Sequence, residues 1–263
     1  MAHPSSPSIR NGLLAALPGE DLKRLRPRLQ DVALSTKQLL LEPGVPIEHV
    51  CFVEEGTVSF TAETERADLV EVAQIGWEGM VGLPIVFGVA ATPHWALVQV
   101  AGRALRMTAD HLRQALDESD ALRGFLLRYA QFTLVQASQN AACNGRHKLE
   151  HRLARWLLQT RDRVDDDDLP LTHELLSQLL GVRRAGVTTA LHVLEAARIV
   201  DARRKHVVLL NRAKLERASC SCYRIIRAEF DNILGHLRMN RGKTELAVLP
   251  TISTTATDPI HQL

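Results

Sequence analysis

The segment LTHELLSQLLGVRRAGVTTALHVLEA, residues 171–196, has the pattern of two short helices joined by a tight turn. Thr172 is placed to cap the first helix, which has a leucine-rich apolar face. Gly181 stands where the C-terminus of a helix favours a left-handed residue. The second helix is predicted from Arg183 to Ala197, with apolar residues at helical spacing on its inner side. The segment therefore predicts a helix-turn-helix.

The outward positions around this turn carry polar or small side chains. In a helix-turn-helix that binds DNA, the N-terminal part of the second helix enters the major groove, where side chains reach base edges and phosphates. The predicted DNA contacts of the motif are Thr172, Arg183, Arg184, Ala185, Thr188 and Thr189.

A basic hairpin is predicted directly after the motif. The β-type runs 199–200 and 207–210 flank a short polar connection. Its tip carries Arg203, Arg204 and Lys205, which suit contacts with the phosphate backbone. The helix-turn-helix and the hairpin together predict a winged helix-turn-helix with double-stranded DNA as its partner.

The distribution of charge supports this interpretation. The net charge of the whole chain is only +2. Residues 1–145 hold 12 Lys/Arg against 16 Asp/Glu, whereas residues 183–227 hold 11 against 3, a net of +8. A solvated surface is also rich in charge, so the count alone does not decide. Basic charge concentrated around a wing is typical of a protein that binds phosphates.

The N-terminal half differs in the spacing of its apolar residues and in its content of Gly and Pro. Residues 11–29 have helical spacing interrupted by Pro18-Gly19. From Val32 to Met107, short apolar or alternating runs are separated by Gly and Pro, which predicts a β-sandwich or barrel.

A helix of roughly thirty residues is predicted next, from Leu112 to Ala142 after a start at Thr108. Apolar residues on more than one of its sides would let the helix pack on its own domain and on a partner helix at once. An amphipathic segment over residues 147–163 follows, and Asp165–Asp168 is interpreted as a solvated connection rather than a metal site.

With these features together, the chain resembles the Crp/Fnr family, named after the cyclic-AMP receptor protein and the fumarate and nitrate reductase regulator. The resemblance rests on Gly44, Gly56, the stretch GWEGMVG at 76–82, the stretch ACNGRHKLEHRLARW at 142–156 and the helix-turn-helix. It implies an α+β fold with an eight-stranded cyclic-nucleotide-binding-like β-roll of the jelly-roll type. A long dimerisation helix and a C-terminal winged helix-turn-helix follow, and such proteins act as homodimers on inverted-repeat sites.

The expected domains follow from this partition. They are a β-roll sensor domain at 1–110, a dimerisation helix at 111–145, the winged domain at 146–235 and a flexible tail at 236–263. RNA polymerase is a further candidate partner of such a regulator.

The effector site departs from the family pattern. Cyclic-nucleotide-binding members hold the cyclic phosphate with an Arg-Ser or Arg-Thr pair, but the matching place here is Pro93-His94-Trp95-Ala96, and no arginine lies between Arg66 and Arg103. We therefore expect neither a cyclic nucleotide nor any other cofactor. If the sensor domain binds an effector, the candidate residues are Gly76, Trp77, Glu78, Gly79, His94 and Trp95.

Four cysteines are present, at positions 51, 143, 220 and 222. An iron–sulfur sensor is not expected, because only Cys51 precedes the long helix. A haem on His94 or His49 is the weaker interpretation of these lone histidines. Cys220 and Cys222 lack the spacing of a zinc finger, so we interpret them as small residues packed along a helix and predict no metal site.

The second helix also departs from members that bind the best-known target, which carry Arg-Glu and another Arg one turn further on. This chain has Arg184, Ala185 and then Thr189, so a different operator is expected.

Two alternatives remain at this stage. An enzyme is not expected, because no HExxH, GxSxG or P-loop motif occurs and the glycines of 76–82 do not open a long helix. A ligand sensor that regulates a protein partner would leave the basic wing unexplained. No apolar run of 18 residues and no secretory signal are present, so a cytoplasmic protein without a membrane anchor is predicted.

Overall fold

The computed structural model describes residues 9–64 and 68–239, with side chains up to residue 233. Two short helices, α1 (Gly12–Ala16) and α2 (Gly19–Leu25), precede a 3₁₀ turn at Arg26–Arg28. The predicted interruption at Pro18-Gly19 is confirmed, since Pro18 is the residue that precedes α2.

The N-terminal domain is built on one antiparallel sheet. Its strands are β1 (Gln30–Leu34), β2 (Leu39–Leu41), β3 (His49–Glu63), β4 (Leu69–Ile75), β5 (Met80–Val81) and β6 (Trp95–Thr108). The main path is β1-β6-β3-β4, while β2 pairs with β6 and β5 pairs with β3. A 3₁₀ helix at Leu83–Phe87 lies between β5 and β6.

The sequence predicted only short strands here, but β3 and β6 are long and bend together. Gly56 has φ +87°, and a Cβ there would lie 2.5 Å from the carbonyl oxygen of Val100. A Cβ at Gly102 would overlap the carbonyl of Glu55. The pairing register of β3 and β6 shifts at this point. The two glycines therefore allow both strands to bend while they remain paired on either side of the bend.

The predicted thirty-residue helix is in fact two helices, α3 (Ala109–Glu118) and α4 (Asp120–Arg146). They meet at Ser119, whose backbone is extended and whose Oγ accepts a hydrogen bond from the N–H of Leu122 at 3.1 Å. The chain therefore re-enters a helix with a new N-cap. The predicted start is confirmed, because the side chain of Thr108 caps α3.

The C-terminal domain has its own core. It comprises α5 (Leu149–Val164), β7 (Asp168–Leu169), α6 (His173–Leu180), α7 (Arg184–Ala196), β8 (Val200–Arg203), β9 (His206–Leu209) and α8 (Arg212–Ala218). Trp156 is its largest fully buried side chain, and β7-β9-β8 form a small sheet beside the helices. The α+β architecture of sheet, long helix and winged helix-turn-helix is confirmed. The N-terminal sheet has six strands within the described residues rather than the eight that the resemblance implies, because β3 and β6 each continue through the bend.

The last helix, α9 (Cys222–Met239), corrects two predicted boundaries. Residues 222–235 were assigned to the winged domain, yet Ile226 belongs to the core of the N-terminal domain. Phe230 packs edge-on against Trp77 with ring centroids 5.6 Å apart. The tail predicted from residue 236 begins with four helical residues, and its remainder lies outside the described part of the chain.

None of the helices within residues 9–64 and 68–239 is both long and apolar enough to cross a membrane.

Candidate nucleic-acid interface

Local capping determines where α6 begins and ends. The Oγ1 of Thr172 accepts a hydrogen bond from the N–H of Leu175 at 3.1 Å, which caps α6. Gly181 has φ +63° and ends that helix. Thr172, predicted as a DNA contact, therefore already uses its hydroxyl oxygen to hold the motif in shape.

The N-terminus of α7 presents a basic, solvent-exposed surface. Arg183 is the cap residue, and Arg184 and Ala185 form the first turn, with all three side chains exposed. Within the described residues, neither arginine makes an ion pair. Two free guanidinium groups at a helix N-terminus can bind phosphate or the edge of guanine.

The two threonines of α7 are anchored to their own helix. Thr188 donates a hydrogen bond to the carbonyl of Arg184 at 3.2 Å, and Thr189 donates to that of Ala185 at 3.1 Å. The Oγ1 of Thr188 also lies 3.0 Å from Nδ1 of His173 on α6. His173 is a residue that the sequence interpretation missed, although its place next to the capping threonine was a usable signal.

The wing is confirmed as a two-stranded hairpin. β8 and β9 pair from Val200–Leu209 to Arg203–His206, and the turn passes through Lys205 at φ +66°. Arg203, Arg204 and Lys205 are all exposed at the tip. Arg203 donates to Asp201 at 2.8 Å, so Arg204 and Lys205 carry the freer charges.

Residues 151–218 match the family model of the Crp-like helix-turn-helix domain. The C-terminal domain is a Crp-like helix-turn-helix domain. The match spans α5 to α8 and contains every predicted DNA-contacting residue. The resemblance to the Crp/Fnr family is thereby confirmed for this part of the chain.

Solved structures extend the likeness to the whole fold. A protein from Eubacterium rectale described as a transcriptional regulator of the Crp/Fnr family has a TM-score of 0.63 and 14% identity, covering 78% of this chain and 96% of that one. FixK2 from Bradyrhizobium japonicum also gives 0.63, with 18% identity and coverage of 73% and 98%. The c-di-GMP-responsive regulator CLP of Xanthomonas campestris gives 0.61, with 19% identity and coverage of 74% and 100%.

These TM-scores show that the chain shares the fold of the three proteins, and at identities below 20% the likeness is one of fold alone. No curated protein matches the chain by sequence.

Part of the basic charge of residues 183–227 is paired with acidic side chains. Arg212 lies 2.6 Å from Asp162 and also pairs with Glu216, while Arg227 reaches Asp162 at 3.8 Å. Although partial burial opposes it, the hydrogen bond and charge of Asp162 raise the pKa of Arg212 above its usual value. The net +8 of residues 183–227 therefore overstates the charge available to DNA.

The candidate effector residues Gly76–Gly79 form the contact with the Crp-like domain instead. A Cβ at Gly76 would lie 2.5 Å from Cγ of Arg163, so the α5 arginine packs on the glycine backbone. Glu78 and Arg163 form a buried ion pair at 2.6 Å, and Trp77 donates its indole N–H to the carbonyl of Asp162. The space beside them measures only about 60 Å³, and the hydroxyl of Tyr129 is packed against Gly79.

His94 and Trp95 have other neighbours. The His94 ring packs on Phe60 with centroids 4.8 Å apart and lies 3.3 Å from the hydroxyl of Thr92. The indole N–H of Trp95 donates to Glu63 at 3.3 Å. The six candidate effector residues thus belong to two different environments, and a role of His94 and Trp95 in binding stays a prediction.

Proposed function

We propose that the chain is a sequence-specific DNA-binding transcription regulator that acts in the cytoplasm as a homodimer on inverted-repeat operators. The observation that carries this proposal is the exposed N-terminus of α7, with Arg183 and Arg184 unpaired beside a basic wing. An exposed cationic surface of this shape binds the phosphate backbone, and the helix end fits the major groove.

Each contact has a distinct task in the proposal. Arg184 pairs with a guanine, at about 1–3 kcal/mol of discrimination. The hydroxyl groups of Thr188 and Thr189 donate hydrogen bonds to carbonyls of α7. Their methyl groups are therefore the proposed contacts with thymine. Arg204 and Lys205 bind phosphates, which supplies affinity without sequence preference.

The dimer surface is proposed on α4. Leu127 and Leu134, seven residues apart on this helix, are 43% and 60% exposed. Ala130, Ala137 and Ala141 continue the same side of the helix at heptad spacing. An apolar line with small residues between leucines suits close packing against a second α4. Two recognition helices would then enter successive major grooves, roughly 34 Å apart.

We do not assign a cyclic nucleotide or another cofactor to the β-roll. The 3₁₀ helix at Leu83–Phe87 has no polar side chain, and Ile85 and Val86 are buried in the core. Burial lowers the pKa of His94, so this residue is uncharged near neutral pH. A cyclic phosphate would therefore lack the cation that its charge requires.

An effector that alters DNA affinity must bind one arrangement of the domains better than another. The candidate place is a cleft of about 480 Å³ between the domains, lined by Arg10 and Glu55 on one side and by Asp166 and His206 on the other. RNA polymerase is the candidate protein partner, and the readout for that role is transcription from the bound operator.

The deciding experiment is the enrichment of bound sequences from a random duplex pool with no ligand added. A two-fold symmetric motif with half-sites one DNA turn apart is the expected result. Salt-sensitive binding without enrichment would indicate that an effector is required. Absence of any DNA binding would contradict the proposal and favour a sensor that acts on a protein partner.

A further inference from the structure

Three cysteines and one histidine meet where α4 ends and α9 begins. Cys143, His147, Cys220 and Cys222, here called the Cys143 cluster, place their ligand atoms within 4.8 Å of one another. The sulfurs of Cys143 and Cys220 are 3.4 Å apart. Nδ1 of His147 lies 3.5 Å from the sulfur of Cys143 and 3.4 Å from that of Cys222. All four side chains therefore converge on one point.

Local structure explains the convergence. Cys143 and His147 are four residues apart, which places them on the same side of a helix. His147 is the residue that ends α4, and its N–H bonds to the carbonyl of Cys143 at 3.0 Å. Cys222 is the first residue of α9, and Cys220 lies two residues before it. Both side chains can therefore face the end of α4.

The surroundings favour negative charge. The three cysteines are buried, and His147 is half-buried. Arg152 and Arg155 are buried beside them, and within the described chain neither comes within 4.0 Å of a carboxylate oxygen. The Nε atoms of both arginines have no hydrogen-bond partner there. Thiolates would place negative charge beside two buried guanidinium groups that form no ion pair within 4.0 Å in the described chain.

We propose that the Cys143 cluster binds a single zinc ion through three thiolates and Nδ1 of His147. Three soft sulfur ligands and one imidazole are a donor set of structural zinc sites, which are tetrahedral. With Zn–S bonds of about 2.3 Å, ligand sulfurs lie roughly 3.8 Å apart, close to the separations found here. A disulfide would use only two of the four groups, and the cluster is compact enough for one ion.

The proposal changes the interpretation of the sequence, which predicted no metal. The pair Cys220-Ser221-Cys222 lacked partners because the other two ligands lie more than 70 residues upstream. The zinc would fasten α9 to α4, and Arg152 would link the site to the helix-turn-helix, since its guanidinium donates to the carbonyl of Leu180 at the end of α6. This inference does not depend on DNA binding.

The first test is the metal content of the full chain, purified with a reductant and without chelators. Mass spectrometry of the metals should give one zinc per chain. After removal of the zinc, Co²⁺ should restore binding with thiolate-to-metal absorption and the strong visible bands of tetrahedral cobalt. Binding of zinc should also release thiol protons into a weakly buffered solution.

Variants identify the ligands. Cys222→Ser should weaken zinc binding, measured by competition with a chromophoric chelator, by more than about 100-fold, beyond what outer-shell changes cause. His147→Asn should bind cobalt with shifted visible bands and fewer nitrogen ligands. Cys51→Ser is the matched control, because Cys51 is also a buried free cysteine but lies in the sheet, away from the cluster. Its zinc content should equal that of the unmodified chain.

Two results would overturn the proposal. One is a reduced, folded chain that holds no zinc and shows no thiolate-to-cobalt absorption when Co²⁺ is added. The other is a Cys143–Cys220 disulfide in protein purified with reductant, which would make the cluster a redox pair. If Cys222→Ser fails to fold, the unmodified chain with cobalt and the His147→Asn variant still decide between these outcomes.

Discussion

Nε1 of Trp156 lies 2.8 Å from Oε1 of Glu71 and donates a hydrogen bond from α5 to β4. The other carboxylate oxygen of Glu71 accepts from the hydroxyl of Ser59. Both residues of the Glu71–Trp156 pair are buried, and burial raises the pKa of Glu71 to about 7. A titratable carboxyl thus lies inside the contact between the N-terminal domain and the Crp-like domain.

This carboxyl should make stability depend on pH. Its pKa rises from 4.5 to about 7 on folding, so the folded chain binds more protons than the unfolded chain between these values. The stabilisation from this group is complete below about pH 4.5 and is lost as the pH rises through about 7. We expect Glu71→Gln to remove this dependence, which amounts to at most about 3 kcal/mol.

Urea unfolding at about pH 5 and about pH 8 measures the effect. Glu63→Gln is the control, because Glu63 also accepts from an indole N–H but is exposed. Equal pH slopes for Glu71→Gln and the unmodified chain would contradict the prediction.

The buried ion pair Glu78–Arg163 should be sensitive to loss of one partner. Both side chains are at most 7% exposed, so Arg163→Met leaves a carboxylate without its counter-charge. We expect a loss of about 3–5 kcal/mol in the free energy of unfolding. Arg161→Met should cost less than about 1 kcal/mol, since Arg161 pairs with the exposed Asp167. A double variant, Glu78→Leu with Arg163→Met, should recover much of the lost stability. A double variant as unstable as Arg163→Met alone would contradict this account.

Arg184→Ala should reduce specific binding more than non-specific binding. The guanidinium is exposed at the start of α7 and is proposed to pair with a guanine, at about 1–3 kcal/mol. Competition between the enriched operator and random duplex measures both affinities. Arg26→Ala, on the sensor domain, removes the same charge from an exposed site and should change neither. Equal losses on both duplexes would exclude base recognition by Arg184.

Lys205→Ala should weaken binding to all sequences alike. Lys205 lies at the tip of the wing, where a phosphate contact contributes to the release of counterions. The slope of log affinity against log salt should become shallower by about 1. An unchanged slope would show that Lys205 does not contact the phosphate backbone.

Leu134→Asp should convert the dimer to a monomer. The exposed side chain lies on the apolar line of α4, and a buried carboxylate would oppose association. Light scattering during gel filtration measures the mass. Leu210→Asp is matched in exposure, at 55% against 60%, but lies next to β9 and should leave the mass unchanged. A dimer that survives Leu134→Asp would place the interface elsewhere.

The helix-turn-helix was predictable almost to the residue because its signals are local. Thr172 caps the helix that begins one residue later, and Gly181 ends it. These interactions depend on neighbours a few residues away, which a single sequence displays.

The bent sheet was not predictable in the same way. Gly56 and Gly102 have the appearance of turn residues, yet each lies inside a continuous strand. Their shared role depends on a partner about fifty residues away, which no local pattern shows. The break at Ser119 is similar, since the apolar spacing continues across it.

The sequence marked the 76–79 stretch as a candidate effector site but could not show what packs against it. Trp77 and Glu78 stood out in the sequence, but only the fold shows that Arg163 of α5 fills the space beside them. The Cys143 cluster was missed because the fold brings its four residues together from two distant parts of the sequence. The spacing of Cys143 and His147, about one helical turn, was the one local indication.

The Cys143 cluster also has a topological consequence. Residues 148–219 leave the end of α4 and return to the start of α9 at nearly the same point. Because α9 packs on the core of the N-terminal domain, the Crp-like domain is inserted into that domain rather than appended to its end. A domain attached by one linker can reorient in any direction, whereas a domain attached at two points is restricted to rotation about the line between them. If the buried contacts between the two domains, such as that of Glu78 with Arg163, were released, the Crp-like domain would therefore rotate about this line. Proteolysis of one connection would leave the domain held by the other.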